Sequence, residues 1–193
     1  MAKRILAIYG HPLRDSFNSA LGAAYVDGAK GAGADVRTVS VHDLTFDPVL
    51  HQAYRAIQPL EPDLLQFQAD VMWAEHLVFV FPVWWGMPPA KFKGVIDRTF
   101  HPSWAFKFRG TDVFPKRLLS GRSARLIATM DSPPWYFRFF MGNPAIRMMK
   151  HSVLDFCGVS PVRSTSIGSV RFSTPEKRLK WLQNIRQLGA RSA

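Results

Sequence analysis

Residues 77–90 read LVFVFPVWWGMPPA. The first five form an unbroken apolar run that stops at Pro82, which is the pattern of a strand buried on both faces. Strands of this kind belong to parallel sheets that carry helices on each side. The stretch therefore predicts an α/β fold, and it places two adjacent tryptophans and three prolines after the strand, at its carboxyl end.

Four other segments have strand patterns and alternate with helical ones. The full set of predicted strands is residues 5–9, 35–41, 77–81, 122–130 and 162–167. Helices are predicted over residues 16–31, 63–75, 88–100, 144–156 and 175–188, the last with Ser173 or Thr174 as its cap. This alternation predicts one five-stranded parallel sheet between helices, in a single domain over residues 1–193.

Ligands of such sheets bind at the carboxyl ends of the strands, where the strand order reverses. Three loops follow strands there, at residues 10–18, 82–89 and 131–136. We expect these loops to form one site.

The first loop leads into a helix amino terminus and contains His11, Ser16 and Asn18. Free backbone amides at such a terminus attract anions, so a phosphate or pyrophosphate fits there. The glycine spacing of a dinucleotide fingerprint and the GxxxxGK[ST] pattern are both absent. The alternative is a helix that Ser16 caps, with no ligand.

The second loop holds a large apolar surface, formed by Pro82, Val83, Trp84 and Trp85, beside backbone that Gly86 allows close to a ligand. A planar heteroaromatic ring would gain stacking and burial there. The alternative is that the tryptophans are core residues or contacts of a dimer.

The third loop reads MDSPPWYFRFF from residue 130 and is again aromatic and rich in proline. Trp135 or Tyr136 could cap a ring, while Asp131 and Ser132 could bond its polar edge. The alternative is a surface loop whose aromatic residues pack on the following helix.

The charge, the histidine spacing and the single cysteine exclude some classes of function but do not select one. The chain has 25 Lys and Arg against 14 Asp and Glu, a net charge of +11. Because the basic residues are scattered, we expect no nucleic-acid partner; phosphate-bearing small molecules or an anionic membrane surface fit the charge. We expect no metal site, since the histidines lack HExxH or paired spacing. The single cysteine, Cys157, fits a buried inert thiol. Without a signal peptide or membrane span, a cytoplasmic location is expected.

Three motifs together resemble one family. They are GHP with SFN at residues 10–18, FPVWWGMPPAKFKGVIDRTF at 81–100 and LDFCG at 154–158. This combination resembles the flavodoxin-like NAD(P)H:quinone oxidoreductases, the family of DT-diaphorase, the modulator of drug activity and the ancillary reductases of potassium efflux systems. The resemblance implies a flavodoxin-like three-layer sandwich with strand order 2-1-3-4-5, a bound flavin, and a homodimer with its active site between subunits.

The resemblance also assigns roles to residues. The phosphate region of the flavin would lie at His11, Ser16, Phe17 and Asn18. The ring would lie at Pro82, Val83, Trp84, Trp85 and Gly86, with Asp131 and Ser132 at its polar edge. The predicted catalytic contacts are Trp85, Tyr136, Phe106 and Phe108; the two phenylalanines stand where relatives often carry tyrosines.

One departure concerns the loop after the fourth strand. Many relatives carry Thr-Thr-Gly-Gly there, whereas this chain reads Thr129, Met130, Asp131 and Ser132. A carboxylate beside a flavin disfavours an anionic reduced form, so we expect a shifted redox potential or a different substrate.

The implied reaction is a ping-pong, two-electron hydride transfer from NADH or NADPH through the flavin to a quinone or similar planar acceptor. The likeness of the SFN loop to FAD-binding relatives favours FAD, with FMN as the alternative. A second hypothesis is a regulatory or accessory flavoprotein that contacts a membrane transporter, and a third is an electron carrier.

Overall fold

The computed structural model describes residues 2–53, 55, 56, 58–110 and 113–191. Its strands are β1 (Arg4–Tyr9), β2 (Asp35–Ser40), β3 (His76–Pro82), β4 (Phe106–Lys107), β5 (Lys116–Arg117), β6 (Ser123–Thr129) and β7 (Val162–Ile167). Five of them form a parallel sheet in the order β2-β1-β3-β6-β7. The short strands β4 and β5 form a separate antiparallel pair. Without them, β6 and β7 are the fourth and fifth strands of the main sheet, so the predicted order 2-1-3-4-5 is confirmed.

The helices cover both faces of this sheet. They are α1 (Phe17–Gly31), α2 (Pro62–Trp73), α3 (Ala90–Thr99), α4 (Pro134–Phe139), α5 (Pro144–Arg147) and α6 (Pro175–Ala190), and a π-helix (Met148–Asp155) directly continues α5. The cap of α6 is Thr174, whose side chain accepts a hydrogen bond from the Lys177 amide. Each predicted helix is present, with ends that differ by a few residues.

Alternate residues of each central strand point to two separate cores. On one face, Leu77 and Phe79 of β3 pack among residues of α2, α3 and α5. On the other face, Val78 and Val80 pack among residues of α1 and α6. This alternation, with both sets fully buried, explains why the strands read as continuous apolar runs.

The helices α1 and α6 lie unusually close to each other. A Cβ atom at Gly28 would lie 1.9 Å from the carbonyl oxygen of Arg186. Only glycine therefore fits at this crossing, which holds the carboxyl-terminal part of α1 against the carboxyl-terminal part of α6.

The long connection between β2 and α2 is anchored by a buried arginine. The Arg98 side chain is fully buried and donates to Glu61 Oε2 at 2.9 Å and to the Pro59 carbonyl at 2.7 Å. It also bonds the Asp47 carbonyl. Its neighbour Asp97 pairs with Lys93 at 2.6 Å on the helix surface. These contacts assign Arg98 to the structure of the fold.

Three local features differ from the sequence-based prediction. The third loop was predicted as irregular over residues 131–136, which is wrong beyond Pro133, because α4 begins at Pro134, a first-turn position where the missing amide costs nothing. The helix predicted from residue 88 begins at Ala90 and has Pro89 as its cap. The pair β4 and β5 was not predicted.

The described residues contain neither a membrane-spanning helix nor a cluster of metal ligands. No described helix is both long and apolar enough to cross a bilayer. Among the residues that the structure describes, no three His, Cys, Asp or Glu side chains form a group that could hold a metal ion.

Candidate functional site

The three predicted loops meet at the carboxyl ends of β1, β3 and β6. The Val83 amide donates to the carbonyl of Thr129 at 2.7 Å, which joins the second loop to the end of β6. The buried Asn18 side chain bonds the Thr129 hydroxyl at 2.9 Å, which joins α1 to the same point. The rings of His11 and Trp84 meet edge to face, with centroids 5.6 Å apart. The fold thus brings the candidate residues of the three loops together.

The first loop provides an anion-binding helix terminus. Ser16 caps α1, because its hydroxyl accepts from the Ser19 amide at 3.1 Å. The first turn of α1 contains no acidic residue that would repel an anion. The capping alternative is therefore observed, and it leaves other first-turn amides at the end of β1.

His11 lies in this loop with its Nδ1 beside the backbone of Leu13. The Leu13 amide donates to His11 Nδ1 at 3.0 Å, so this nitrogen is an acceptor. Burial lowers the pKa of His11, and this shift is opposed by the Leu13 carbonyl, 3.3 Å from Nδ1, to which the protonated ring can donate. A neutral imidazole can donate from Nε2 to an acceptor on a ligand.

Phe17 faces α6, in a contact that the sequence-based prediction missed. Its ring centroid lies 6.0 Å from that of Trp181, and the Arg178 guanidinium lies 5.4 Å from it. Arg178 and Trp181 are three residues apart on one helix face, which is the signal that could have found them. Together these three side chains place a positive charge and aromatic surface beside the anion-binding terminus.

The second loop is a tight turn, Trp84–Met87, which we call the tryptophan turn. The amides of Trp84 and Met87 donate to each other's carbonyls, at 2.8 and 3.0 Å. Both central residues have positive φ, 52° at Trp85 and 79° at Gly86, as a type I′ turn requires. Glycine adopts this conformation without strain, but a tryptophan in it costs about 1–2 kcal/mol.

The indole of Trp85 is also wholly exposed, at 103% of its reference area. Trp84 is 46% exposed, while Pro82 at the strand end is buried. A core role for Trp85 is therefore wrong. Backbone strain together with an exposed indole favours a binding role, since such features are kept where function requires them.

The third loop is fixed by the connection that follows β7. Asp131 accepts a hydrogen bond from the Arg171 amide at 3.0 Å, and the Ser132 carbonyl accepts from the Ser169 amide at 3.3 Å. The Asp131 carboxylate thus has a structural partner in addition to the ligand contact predicted for it. This bond uses one carboxylate oxygen and leaves the other for a ligand.

The helix α4 extends this loop with exposed aromatic side chains. Tyr136 is 43% exposed and stacks on Phe140 with centroids 5.4 Å apart, while Trp135 meets both rings edge to face. The predicted alternative, aromatic residues packed on the neighbouring helix, describes Phe137, which is buried. Tyr136 remains available for a ligand at this end of the sheet.

Phe106 and Phe108 lie apart from the three loops within the same chain. Phe106 meets Phe108 and Phe156 edge to face, at 5.8 and 4.9 Å. The two phenylalanines line a cavity of about 480 Å³ between α3 and the π-helix, which none of the three loops lines.

Comparisons with known proteins agree with this architecture. A family model described as a flavodoxin-like fold matches residues 3–189. Ribosyldihydronicotinamide dehydrogenase (quinone) of Mus musculus is 24% identical, over 96% of this chain and 92% of the relative.

Two solved structures show the same fold. An NAD(P)H:quinone oxidoreductase from Methanothermobacter marburgensis has a TM-score of 0.83 and 22% identity, with 100% of this chain and 98% of that one covered. An FMN-dependent NADH-azoreductase from Bacillus anthracis, in complex with FMN, has a TM-score of 0.75 and 15% identity, with both chains covered in full.

Proposed function

This chain belongs to the flavodoxin-like fold family, and from this we propose that it is a flavin-dependent NAD(P)H dehydrogenase that reduces quinones or similar planar acceptors. The relatives that support this are a ribosyldihydronicotinamide dehydrogenase (quinone) and an NAD(P)H:quinone oxidoreductase. The observation that carries the proposal is Trp85, a wholly exposed indole held in a strained turn at the crevice.

The residues present fit a flavin. The amino terminus of α1, capped by Ser16 and free of acidic residues in its first turn, suits the phosphate. The tryptophan turn offers an apolar face for the ring, and loop amides near it can bond the ring's polar edge. Asp131 and Ser132 stand at the end of β6, where that edge would lie. A bound flavin would supply reversible two-electron hydride chemistry.

The protein's own part is to bind and orient the flavin and the substrates and to exclude water from them. In its neutral form, His11 can donate a hydrogen bond from Nε2 to an acceptor atom of a ligand without adding a charge to the site. Trp85 and Tyr136 present flat surfaces to a planar acceptor. Phe106 and Phe108 would supply only apolar cover, because phenylalanine has no hydroxyl with which to donate a proton. The reaction class asks for no strong general acid from the chain.

We favour FAD over FMN. Beside the amino terminus of α1, where we place the flavin phosphate, lies an aromatic surface with a positive charge, formed by Phe17, Trp181 and Arg178. Such a surface suits the additional adenosine and phosphate of FAD, whereas FMN would leave it without a ligand. The azoreductase of the same fold holds FMN, so the two cofactors are to be compared directly.

A homodimer is part of the proposal, since the cavity lined by Phe106 and Phe108 lies outside the three loops of the same chain. A cytoplasmic location stays a prediction. The accessory role at a membrane transporter also stays a prediction: it would require a partner for turnover, whereas the enzyme would not.

The test is steady-state oxidation of NADH and NADPH with a benzoquinone, after incubation of the purified protein with FAD, FMN or neither. We expect saturable turnover by the protein alone, at a higher level with FAD. Light scattering on the same sample should give the mass of a dimer. A protein that binds flavin but turns over only with a partner would support the accessory role, and one without turnover or flavin would refute both.

A further inference from the structure

A groove lies beside the sheet's edge strand, between β7 and the segment that runs from α4 to the π-helix. It has a volume of about 520 Å³. We call it the β7 groove. Its lining combines aromatic rings, an amide, hydroxyls and three cations. The cations are Arg138, Arg147 and Lys150, and the other groups include Trp135, Asn143 and Ser166.

Among the described residues, none of the three cations of the groove has an acidic partner, and only Arg138 meets an aromatic ring, that of Phe139 at 5.5 Å. Within residues 2–53, 55, 56, 58–110 and 113–191, the ion pairs involve other side chains, and the charged groups of Arg138, Arg147 and Lys150 make no hydrogen bond. The imidazole of His151 also lines the groove, but it pairs with Asp155 at 2.9 Å. Three unneutralised positive charges on one concave surface repel each other and attract an anion of more than one charge.

Asn143 gives the groove an unsatisfied polar atom. Its backbone is left-handed, with φ of 55°, and its side-chain Oδ1 is buried without a hydrogen-bond partner. Such atoms are rare in folded proteins. Because this oxygen is buried, a ligand in the groove would reach it only after the Asn143 side chain turned, and a ribose hydroxyl or an adenine amino group would then supply the missing donor.

The groove begins at the candidate active site. A Cβ atom at Gly86 would lie 3.3 Å from Pro144 Cγ, so the tryptophan turn touches the residue that follows Asn143. Helix α4 carries both Tyr136, a predicted site residue, and Arg138, which lines the groove. A ligand with one end at the tryptophan turn can therefore continue into the groove.

We propose that the β7 groove binds the adenosine 2′-phosphate end of NADPH, and that the protein therefore uses NADPH in preference to NADH. A dianionic phosphate matches the unpaired cations, the ribose hydroxyls match Asn143 and Ser166, and the exposed rings of Trp135 and Phe139 suit an adenine. NADH lacks the 2′-phosphate and makes none of its ion pairs. This inference rests on the proposed function, which supplies the reduced nicotinamide.

The first test measures binding, independently of turnover. Calorimetric titration of the purified protein should show 2′,5′-ADP binding at least about 10-fold tighter than 5′-AMP, since only the first has the 2′-phosphate. Arg147→Gln and Lys150→Gln should each weaken 2′,5′-ADP by about 10-fold. Lys180→Gln removes the same charge from α6, on the other face of the sheet, and should leave the affinity as it was.

The second test compares the two nucleotides in turnover. In Arg147→Gln, the ratio of kcat/KM for NADPH to that for NADH should fall by about 10-fold, whereas Lys180→Gln should keep the wild-type ratio. A working enzyme whose ratio does not move would overturn the inference and leave the proposed function intact. A protein without flavin or turnover would overturn the proposed function instead.

Two binding results would also overturn the inference. In one, 5′-AMP or inorganic pyrophosphate binds as tightly as 2′,5′-ADP, which would make the groove an unselective anion site. In the other, the groove variants bind 2′,5′-ADP as the wild type does, which would place the phosphate elsewhere.

Discussion

Arg98 and Trp85 each reverse the usual rule of burial, in opposite directions. Arg98 is a charge with no exposed side-chain area, and Trp85 is the largest apolar side chain with nothing covering it. Arg98 has carboxylate and carbonyl acceptors for both terminal nitrogens of its guanidinium, and only its Nε lacks a partner among the described residues, so its burial is largely explained within the fold. Trp85 has no comparable explanation in the described chain, and its turn is strained. A buried charge that has partners within the protein has a structural role, whereas an exposed apolar side chain that nothing in the described chain covers points to a ligand.

The largest expected effect comes from removal of the satisfied charge. Arg98→Met removes the guanidinium from two carbonyls and from the Glu61 carboxylate, which keeps the Asp47 amide as a donor, so the free energy of unfolding should fall by about 3–5 kcal/mol. Urea denaturation measures this. Lys93→Met, which breaks the surface pair with Asp97 on the same helix, should cost about 0.5 kcal/mol or less. Equal losses in the two variants would contradict the structural role of Arg98.

The second effect extends the comparison to a buried group that stays neutral. His76 is 3% exposed and bonds the Ser123 hydroxyl at 2.8 Å. Burial first, then the charges of Lys3, Arg125 and Arg163, lower the pKa of His76 from 6.5 to about 3. Between pH 6.5 and pH 3, His76 is protonated in the unfolded chain but not in the folded chain. The free energy of unfolding is therefore undiminished by this group above pH 6.5 and falls as the pH drops toward 3.

Near pH 5 this group should cost about 2 kcal/mol relative to neutral pH. His76→Gln should remove that part of the pH dependence, as measured by urea denaturation at both pH values. If the stability of wild type and variant changes in parallel with pH, His76 does not titrate as the structure requires.

The third effect separates function from stability at the exposed side chain. Trp85→Gly relieves the left-handed strain but adds freedom to the unfolded chain, so stability should stay equal or rise by up to about 1 kcal/mol. Without the indole, kcat/KM for a benzoquinone should fall by about 10-fold, or 1.4 kcal/mol. Trp85→Phe, which keeps an aromatic ring, should recover most of the loss. Lower stability with intact kinetics would make Trp85 a packing residue.

The smallest effect is expected at Cys157, a buried group that should take no part in function. Burial raises the pKa of its thiol to about 12, so very little reactive thiolate exists near pH 8. A thiol reagent should label the folded protein far more slowly than the protein in urea, and Cys157→Ala should keep the flavin content per folded chain. Rapid labelling of the native protein would show that this part of the core opens readily.

The sheet was predictable from sequence because its signal is local. A strand buried on both faces is a short apolar run, and residues 77–81 agree with β3 to within one residue at each end. The edge strand β7 also has the predicted bounds, although its inner residues are polar and mostly exposed. The topological rule then placed three loops at one edge, which the contacts of Asn18 and Val83 with Thr129 confirm. The helix α4 was missed because PPWYFRFF has no helical apolar period and begins with two prolines.

The features that were not predictable depend on distant partners or on backbone conformation. Arg98 meets Glu61 across 37 positions in sequence, and nothing near either residue signals the pair. The positive φ of Trp85 contradicts the preference of its own side chain. The β7 groove gathers Arg138 from α4, Arg147 from α5 and Lys150 from the π-helix, and its geometry depends on how these three elements pack beside β7.

The most direct test of the central claim is an absorbance spectrum of the purified protein, followed by acid release of the cofactor and its identification by chromatography. The account predicts about one flavin per chain, identified as FAD, which bleaches when NADPH is added without oxygen and recovers when a quinone follows. A colourless protein that takes up neither FAD nor FMN would contradict the account, and the tryptophan turn would then need a different ligand.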